Sequence, residues 1–384
     1  MASPKKIFLG LGIVAMLLLG VAFSEPWRGQ PSTTSLSARS TATEGLDSLV
    51  RELMDTYHIP GVSMALLKEG ELWETHTYGV VQAGKPEPIT TQTMFSQGSV
   101  SKVVNAMVVL SLVDQGKLAL DRDVNEYLSQ WQVDYRGYED GQPVTLRTLL
   151  SHTAGFSVHG FADYLPGEEL PNTIEILQSS GPAKNDPVRL IFAPGTSFKY
   201  SGGGITILQL LVEEITGKPY AQAAHEILFA PVGLARSSYE NPLPPAFGDI
   251  AKAHNPSGNP VAQPRGYESM PEMAASGLWS CPTDIATLLA AYLKSYTRQP
   301  GGLFSTALAQ DMATANTHSA FGLGPKTETR DGHKLLFHNG ANDSYRAHFT
   351  LSLTNQTGYI IMTNGTQGLS LVQELKPALE ALLW

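Results

Sequence analysis

The sequence predicts an α+β fold, an α/β sandwich in which both ends of the chain contribute to one antiparallel sheet. Strand-like segments occur near the start, at 62–67 and 72–78, and again near the end, at 345–353 and 359–362. The long stretch between them has a mostly helical or irregular pattern. We therefore expect helices from both termini to cover the sheet, with a mostly helical region inserted between its two halves.

The first predicted element is a helix from about Gly45 to Tyr57, which ends before Pro60. Four apolar residues recur in it at helical spacing: Leu46, Leu49, Val50 and Leu53. The two strand-like segments after this helix are separated by 68–70, a Lys-Glu-Gly sequence that suits a tight turn with a positive φ at Gly70. The chain is thus expected to open as a helix followed by a hairpin.

The strand predicted at 345–353 has the most regular pattern in the chain. Apolar and polar residues alternate through it, which is the period of two of a strand buried on one face. A turn at 354–358 and a partner strand at 359–362 follow. The tail, 369–384, is mainly helical in pattern, and Pro377 stands where a proline would interrupt a helix.

The composition of the 384 residues limits the classes of function. With 42% hydrophobic residues the chain can bury a sizeable core. A formal net charge of −9 argues against nucleic acid as a partner, because phosphates attract Lys- and Arg-rich surfaces. The single cysteine, Cys281, excludes an internal disulfide and any site with several thiolate ligands.

The first 24 residues predict export. Lys5 and Lys6 precede an uncharged run at 7–23, which is the pattern of a signal peptide. The run is short for a membrane span of roughly 20 residues, so two interpretations stay open: cleavage and release, or retention as a membrane anchor at 7–23. Residues 25–44, rich in Ser and Thr, predict a flexible linker. The protein is thus expected to be periplasmic or otherwise extracytoplasmic.

Ser99 and Lys102 stand three residues apart at the start of a predicted helix that runs to about Gln115. Residues at this spacing lie on the same helix face, so the two side chains are neighbours. Burial disfavours the ammonium form, and Lys102 can then be a free amine that takes the proton of a nucleophilic serine. On spacing alone, a helix-capping role for Ser99 is the alternative.

Tyr200 is the second candidate for the chemistry. Gly202 and two further glycines follow it, so its loop can approach other groups closely and its phenol can serve as a base. In isolation, the alternative is a half-buried structural tyrosine beside a turn.

The third candidate element lies just ahead of the strand predicted to begin near Tyr345. Gly340 is small enough for a substrate backbone to lie along a strand edge beside His338. The N–H of Ala341 is expected to complete an oxyanion hole with that of Ser99. Taken alone, His338 is equally a loop or core residue.

In order and spacing, the three elements resemble the serine β-lactamase-related family. This family includes class C β-lactamases, D-alanyl-D-alanine carboxypeptidases, D-aminopeptidases and several esterases. Other family-like segments occur at 149–155, 215–220, 277–284 and 321–324. The resemblance spans roughly Leu46 to the C-terminus and implies a β-lactamase/transpeptidase-like catalytic domain at 45–384.

The resemblance implies an acyl-enzyme on Ser99, with Lys102 and Tyr200 moving its proton before water hydrolyses the ester. It implies no metal and no organic cofactor. The implied substrates are small molecules or peptides, namely D-amino-acid peptides, small esters or β-lactams. His152 lies in a family-like segment that looks structural, ending a helix at a turn.

Two departures from the family pattern concern substrate recognition. Gly202 stands where members that act on β-lactams or peptides commonly have Asn, and His338 stands where class C β-lactamases usually have Lys. We therefore expect a D-peptidase or an esterase rather than an efficient β-lactamase. Arg346 and Arg265 are candidates for binding a substrate carboxylate, since a guanidinium can donate two parallel hydrogen bonds.

A second class of function is a binding or regulatory protein that keeps the fold but has lost turnover, which Gly202 favours. An α/β-hydrolase would need a G-x-S-x-G sequence, but Val100 and Ser101 follow Ser99. A zinc hydrolase would need clustered ligands such as H-E-x-x-H, and the ten histidines show no such pairing.

Overall fold

The structure is a computed structural model that describes residues 33–262 and 266–384, with side chains from residue 45 onward. The predicted signal or anchor segment, 1–24, and Arg265 lie outside the described residues. Within the described ranges, no helix combines the length and the apolar character that crossing a membrane requires.

The first helix, α1, spans Thr33–Tyr57 and so begins well before Gly45. Part of the stretch expected to be a linker, 33–44, is therefore helical. This stretch contains neither proline nor glycine, so nothing in it ends a helix. Residues Gly45–Trp384 form one compact unit, which contains the sheet.

The strands of the described residues form a six-stranded and a two-stranded sheet. They are β1 (Gly61–Lys68), β2 (Glu71–Gly79), β3 (Phe95–Ser96), β4 (Trp279–Ser280), β5 (Lys326–Arg330), β6 (His333–Asn342), β7 (Tyr345–Ser352) and β8 (Thr357–Thr363). The larger sheet has the order β2-β1-β8-β7-β6-β5 and every neighbouring pair is antiparallel. Because β1 pairs with β8, the prediction of one antiparallel sheet assembled from both ends is confirmed.

The helices after α1 fill the middle of the chain and its end. They are α2 (Ser101–Asp114), α3 (Leu146–Leu150), α4 (Thr173–Gln178), α5 (Gly202–Thr216), α6 (Tyr220–Ala224), α7 (Ala230–Val232), α8 (Met273–Ser276), α9 (Pro282–Tyr296), α10 (Thr306–Met312) and α11 (Gly368–Leu383). Helices α2 to α10 lie between β2 and β5, which confirms the mostly helical insertion. Pro377 lies inside α11 without ending it.

The part of α1 from residue 45 to 57 and helix α11 cover one face of the large sheet, here called the terminal-helix face. Its apolar core includes Val62 and Met64 of β1, Tyr359 of β8 and Leu375 of α11, all buried. The opposite face carries Ala65 of β1 and belongs to the main core with α2, α5 and α9. Alternate residues of the same strands thus enter two different cores, as a period of two requires.

Strand β7 corrects one expectation. Its polar residues were expected to face solvent, but His348, Thr350 and Ser352 are as buried as its apolar ones. The reason is its position: β7 lies inside the sheet between β6 and β8, with helix α11 packed against it. The alternation correctly identified a strand but not the layer that covers its polar face.

The segment that contains His338 and Gly340 was expected to lie ahead of a strand and instead lies within one. Strand β6 pairs with β7, with His338 opposite Phe349. The residues of β6 do not alternate regularly between polar and apolar, so the period of two is not visible there.

The turn between β1 and β2 is as predicted, with φ of 77° at Gly70.

Candidate active site

Ser99 lies in a 3₁₀ turn, Gly98–Val100, immediately before α2. Gly98 has φ of 49°, and a Cβ atom on it would collide with the backbone of Ala341 in β6. Only glycine therefore lets this turn lie directly against the strand. Ser99 precedes the helix rather than opening it, which still leaves its side chain beside the first turn of α2.

Lys102 occupies that first turn and is 2% exposed. Its Nζ lies 3.1 Å from Ser99 Oγ and 2.7 Å from the carbonyl oxygen of Ala275. Burial lowers the pKa of Lys102 to about 7, because the charged ammonium loses its hydration. A substantial fraction of Lys102 is therefore the neutral amine at neutral pH, next to the serine hydroxyl.

Tyr200 lies just before α5, whose N-cap is Ser201. The Nζ of Lys102 is 5.0 Å from the centre of the Tyr200 ring. Burial raises the pKa of Tyr200 to about 12, and a hydrogen bond with Ser99 opposes this rise. The resting phenol is thus protonated at neutral pH, so the group poised to accept a proton is Lys102 rather than Tyr200.

His152 packs against Tyr200, with ring centres 4.3 Å apart. Its Nδ1 accepts a hydrogen bond from the backbone N–H of Ser201 at 3.2 Å, and its Nε2 is buried without a partner among the described residues. Burial, followed by the charge of Lys102, holds the pKa of His152 well below its ordinary value. It does follow the end of α3, as expected, and in addition it positions the tyrosine.

His338 is 5% exposed, and its Nδ1 lies 2.6 Å from the carbonyl oxygen of Asn339. Nδ1 therefore carries the proton, and Nε2, which has no partner among the described residues, is a free acceptor. Burial, with a smaller effect from the charge of Lys102, lowers the pKa of His338 to about 3. At neutral pH His338 is uncharged and does not replace a lysine electrostatically.

Gly340 brings β6 against the turn that carries the serine. A side chain on Gly340 would collide with the carbonyl oxygen of Gln97, and its Cβ atom would lie 3.3 Å from the backbone nitrogen of Ser99. The N–H of Ser99 belongs to the 3₁₀ turn that leads into α2, where backbone donors lack an intrahelical acceptor. Both Ser99 and Ala341 line the same pocket, as an oxyanion hole made from their N–H groups requires.

This pocket has a volume of about 390 Å³. Its lining consists of Ser99, His159, Phe198, Tyr200, Phe321, Lys326, Phe337, His338, Asn339, Gly340 and Ala341. Sequence reasoning missed its aromatic walls, although Phe198 and Phe337 stand two and one residues before Tyr200 and His338. Three larger hollows of the described surface contain none of these residues.

Gly202 does not line the pocket. A Cβ atom at this position would lie 2.9 Å from a ring carbon of Phe161 and 3.1 Å from the carbonyl oxygen of His159. The loop at 159–161 therefore occupies the space that an asparagine side chain would need. From the same loop, His159 reaches the pocket and lies 5.0 Å from the Tyr200 ring centre.

Arg346 does not line the pocket either. Its guanidinium donates hydrogen bonds to the backbone carbonyls of Asn342, Asp343 and Tyr345.

In the described ranges, no group of three or more His, Cys, Asp or Glu side chains is placed to hold a metal ion. The structure thus brings together six of the predicted site residues, namely Ser99, Lys102, Tyr200, His338, Gly340 and Ala341, but not Gly202 or Arg346.

Known proteins share this fold. D-alanine carboxypeptidase AmpC from Burkholderia cenocepacia superposes with a TM-score of 0.70 at 18% identity, over 90% of this chain and 100% of that one. The octameric penicillin-binding protein homologue from Pyrococcus abyssi superposes with a TM-score of 0.69 at 22% identity, over 86% of this chain and 77% of that one. These likenesses confirm the predicted α+β fold of the β-lactamase and penicillin-binding type.

A sequence relative, penicillin-binding protein 4 from Amycolatopsis lactamdurans, is 33% identical over 186 residues, which is 48% of this chain and 46% of the relative. This chain therefore spans about half the length of that relative. A family model described as Beta-lactamase matches residues 46–382. Because that match covers most of the sequence, the chain belongs to the β-lactamase family and has the serine-hydrolase fold of that family.

Proposed function

We propose that this protein is a serine acyl-hydrolase that acts on D-amino-acid peptides or small esters through an acyl-enzyme on Ser99. One observation carries the proposal: the buried amine of Lys102 lies 3.1 Å from Ser99 Oγ. Burying a lysine costs free energy of folding. A buried, partly neutral lysine beside a serine in a cleft is therefore a candidate for a functional group rather than a stabilising one.

In the acylation step, Ser99 Oγ attacks the carbonyl carbon of the substrate while its proton passes to Lys102 Nζ. The carbonyl oxygen becomes an oxyanion, which the N–H groups of Ser99 and Ala341 stabilise. The carbonyl of Ala275 holds Nζ from its other side at 2.7 Å and keeps the amine aimed at the serine.

The bond to the leaving group then breaks, and the leaving group takes a proton. Lys102, now an ammonium, gives that proton through the hydroxyl of Tyr200, which is protonated at rest and hydrogen-bonded to Ser99. Water attacks the acyl-enzyme next, with the same two residues accepting its proton and returning one to Ser99 Oγ.

Two features argue against efficient turnover of β-lactams. The loop at 159–161 occupies the position of an amide-binding side chain at Gly202, so contacts to a substrate amide are reduced. His338 is neutral where class C β-lactamases usually have a fixed positive charge, which weakens attraction for a carboxylate at that point.

Intact-mass measurement tests the proposal. The purified protein is incubated with a fluorescent penicillin and, in parallel, with p-nitrophenyl acetate, whose release of p-nitrophenolate is also followed. We expect ester turnover that is lost in Ser99→Ala, with acyl adducts on the wild type only. A stable penicillin adduct on Ser99 would make D-peptide recognition the primary assignment.

Ser129→Ala is the matched control, since Ser129 is exposed and lies outside the pocket lining. It should react as the wild type does. An adduct that persists in Ser99→Ala would assign the nucleophile to another residue and contradict the proposal. Absence of both adducts and turnover in the wild type would instead favour a binding or regulatory protein with this fold.

A further inference from the structure

Lys326 is a pocket residue to which sequence analysis gave no role. It begins β5, where it is paired with Phe337 of β6, and it is exposed. Its Nζ lies 5.4 Å from the centre of the Phe321 ring. This places a flexible ammonium at the rim of the cavity that contains Ser99.

Within the described part of the chain, no side chain neutralises the charge of Lys326. No carboxylate of the described residues lies within 4.0 Å of its Nζ, whereas Lys184, Lys218 and Lys294 each form such an ion pair. Among the side chains that line the pocket, Lys326 alone is a Lys or Arg, and no Asp or Glu is present. A substrate carboxylate would therefore meet one cation and no competing anion there.

The charge reaches the site itself. Lys326 is among the groups whose positive charge lowers the pKa of His338, one residue from the Gly340 strand edge. His338 is itself uncharged at neutral pH, so it does not compete for an anion. Arg346, which the sequence suggested as a residue that binds a substrate carboxylate, donates its hydrogen bonds to backbone carbonyls and does not line the pocket.

The walls beside Lys326 are aromatic. Phe198 and Phe321 stack with ring centres 5.7 Å apart, and Phe337 faces the same cavity. Phe198 is 42% exposed, so its ring is accessible to a substrate group. Such walls suit an apolar or aromatic group of the substrate.

We propose that Lys326 is a specificity-determining residue that binds the carboxylate of substrates carrying an aromatic or apolar group against Phe198, Phe321 and Phe337. The substrate class is then an acidic ester or peptide rather than a neutral ester. This inference rests on the proposed function for its role in turnover, while the binding that it describes does not require turnover.

Binding is measured first in the full chain with Ser99→Ala, so that no acyl transfer interferes. N-benzoylglycine and N-benzoylglycinamide are titrated separately by ligand-observed NMR. They share the aromatic ring and differ in the carboxylate. We expect the acid to bind more tightly than the amide, and Lys326→Met to reduce this preference about fivefold, as loss of an exposed ion pair of about 1 kcal/mol implies.

Lys326→Arg should retain most of the preference for the acid over the amide. High salt should weaken this preference in the parent Ser99→Ala protein but not when Lys326→Met is added. Lys334→Met is the matched control, because Lys334 is on the adjacent strand β6, outside the pocket lining. An acid-to-amide preference that Lys326→Met leaves intact, or its loss in Lys334→Met, overturns the inference.

Kinetics then connect the binding to turnover. With Ser99 present, the thioester of N-benzoylglycine with thioglycolic acid is compared with its methyl ester, and Lys326→Met should lower kcat/KM for the acid only. If the ratio of kcat/KM for the acid to kcat/KM for the methyl ester is the same in the wild type and in Lys326→Met, the inference is refuted while the hydrolase assignment stands. Failure of Ser99-dependent turnover with both substrates refutes the hydrolase assignment, and the binding titrations still decide the role of Lys326.

Discussion

The two faces of the large sheet bury histidines in different ways. On the terminal-helix face, His348 has both ring nitrogens paired, Nδ1 with Asn339 Oδ1 at 2.6 Å and Nε2 with Thr350 Oγ1 at 2.8 Å. Beside the pocket, His152 and His338 each leave Nε2 buried without a partner in the described part of the chain. Burial lowers the pKa of all three.

The difference separates structural from functional burial. A fully paired polar group stabilises one packing arrangement, whereas an unpaired one costs free energy that folding alone does not recover. These two unpaired nitrogens and the buried amine of Lys102 lie on the pocket side of the sheet, near Ser99. The comparison therefore predicts that changes on the pocket side affect activity and that changes on the terminal-helix face affect stability.

The largest effect is expected for Lys102→Met, which replaces the amine with an apolar side chain of similar length. Without the proton acceptor, kcat/KM should fall by about 10³-fold or more, a loss typical of removing an essential base. Because Met carries no charge to desolvate, the free energy of unfolding at pH 6 should be maintained or increased. Ester kinetics and thermal denaturation measure the two quantities, and a large loss of stability would contradict the comparison.

A second effect is expected for His348→Leu on the terminal-helix face. Buried Thr350 Oγ1 would lose a partner and exposed Asn339 would lose one hydrogen bond, so we expect a loss of about 1–2 kcal/mol in the free energy of unfolding. Urea denaturation measures it. The matched variant His338→Leu, which leaves no side-chain partner unpaired, should lose less stability but more kcat/KM. The reverse pattern would break the comparison.

The pH dependence provides a further test. Since burial lowers the pKa of Lys102 to about 7, kcat/KM should fall by about tenfold per unit as the pH drops below that value. Half-buried Asp163 and buried Glu272 titrate in the same range, because desolvation raises their pKa values to about 7 and about 8. If Lys102 causes the fall in kcat/KM at low pH, Glu272→Gln should leave that fall unchanged. Loss of the fall in this variant would assign it to Glu272 instead.

The same shift sets the sign of a stability change. Lys102 has its ordinary pKa of 10.5 when unfolded and about 7 when folded, so the unfolded chain binds more protons between these values. Its contribution to stability therefore declines as the pH falls from about 10.5 to about 7 and is constant below. Lys102→Met should reduce the slope of the measured free energy of unfolding in this pH range, and an unchanged slope would contradict the assigned pKa.

Regular patterns made the fold predictable near the two ends of the chain. The hairpin of β1 and β2 and the strands β7 and β8 have clear spacing and turn residues, and all were confirmed. Strands β5 and β6 were not predicted, because Lys326–Arg330 is wholly polar or charged and β6 lacks alternation. Strand β6 is held by its pairing with β7, and β5 by its pairing with β6, rather than by local preference.

The sequence by itself determined that Ser99 and Lys102 are neighbours, since one helical turn fixes that distance wherever the helix lies. It also carried the family pattern that includes Tyr200. Only the tertiary structure decided the burial of Lys102 and its contact with Ala275, the protonated state of Tyr200 and the entry of Lys326 into the pocket. These depend on segments far apart in the chain, and burial and charge act through space rather than along the sequence.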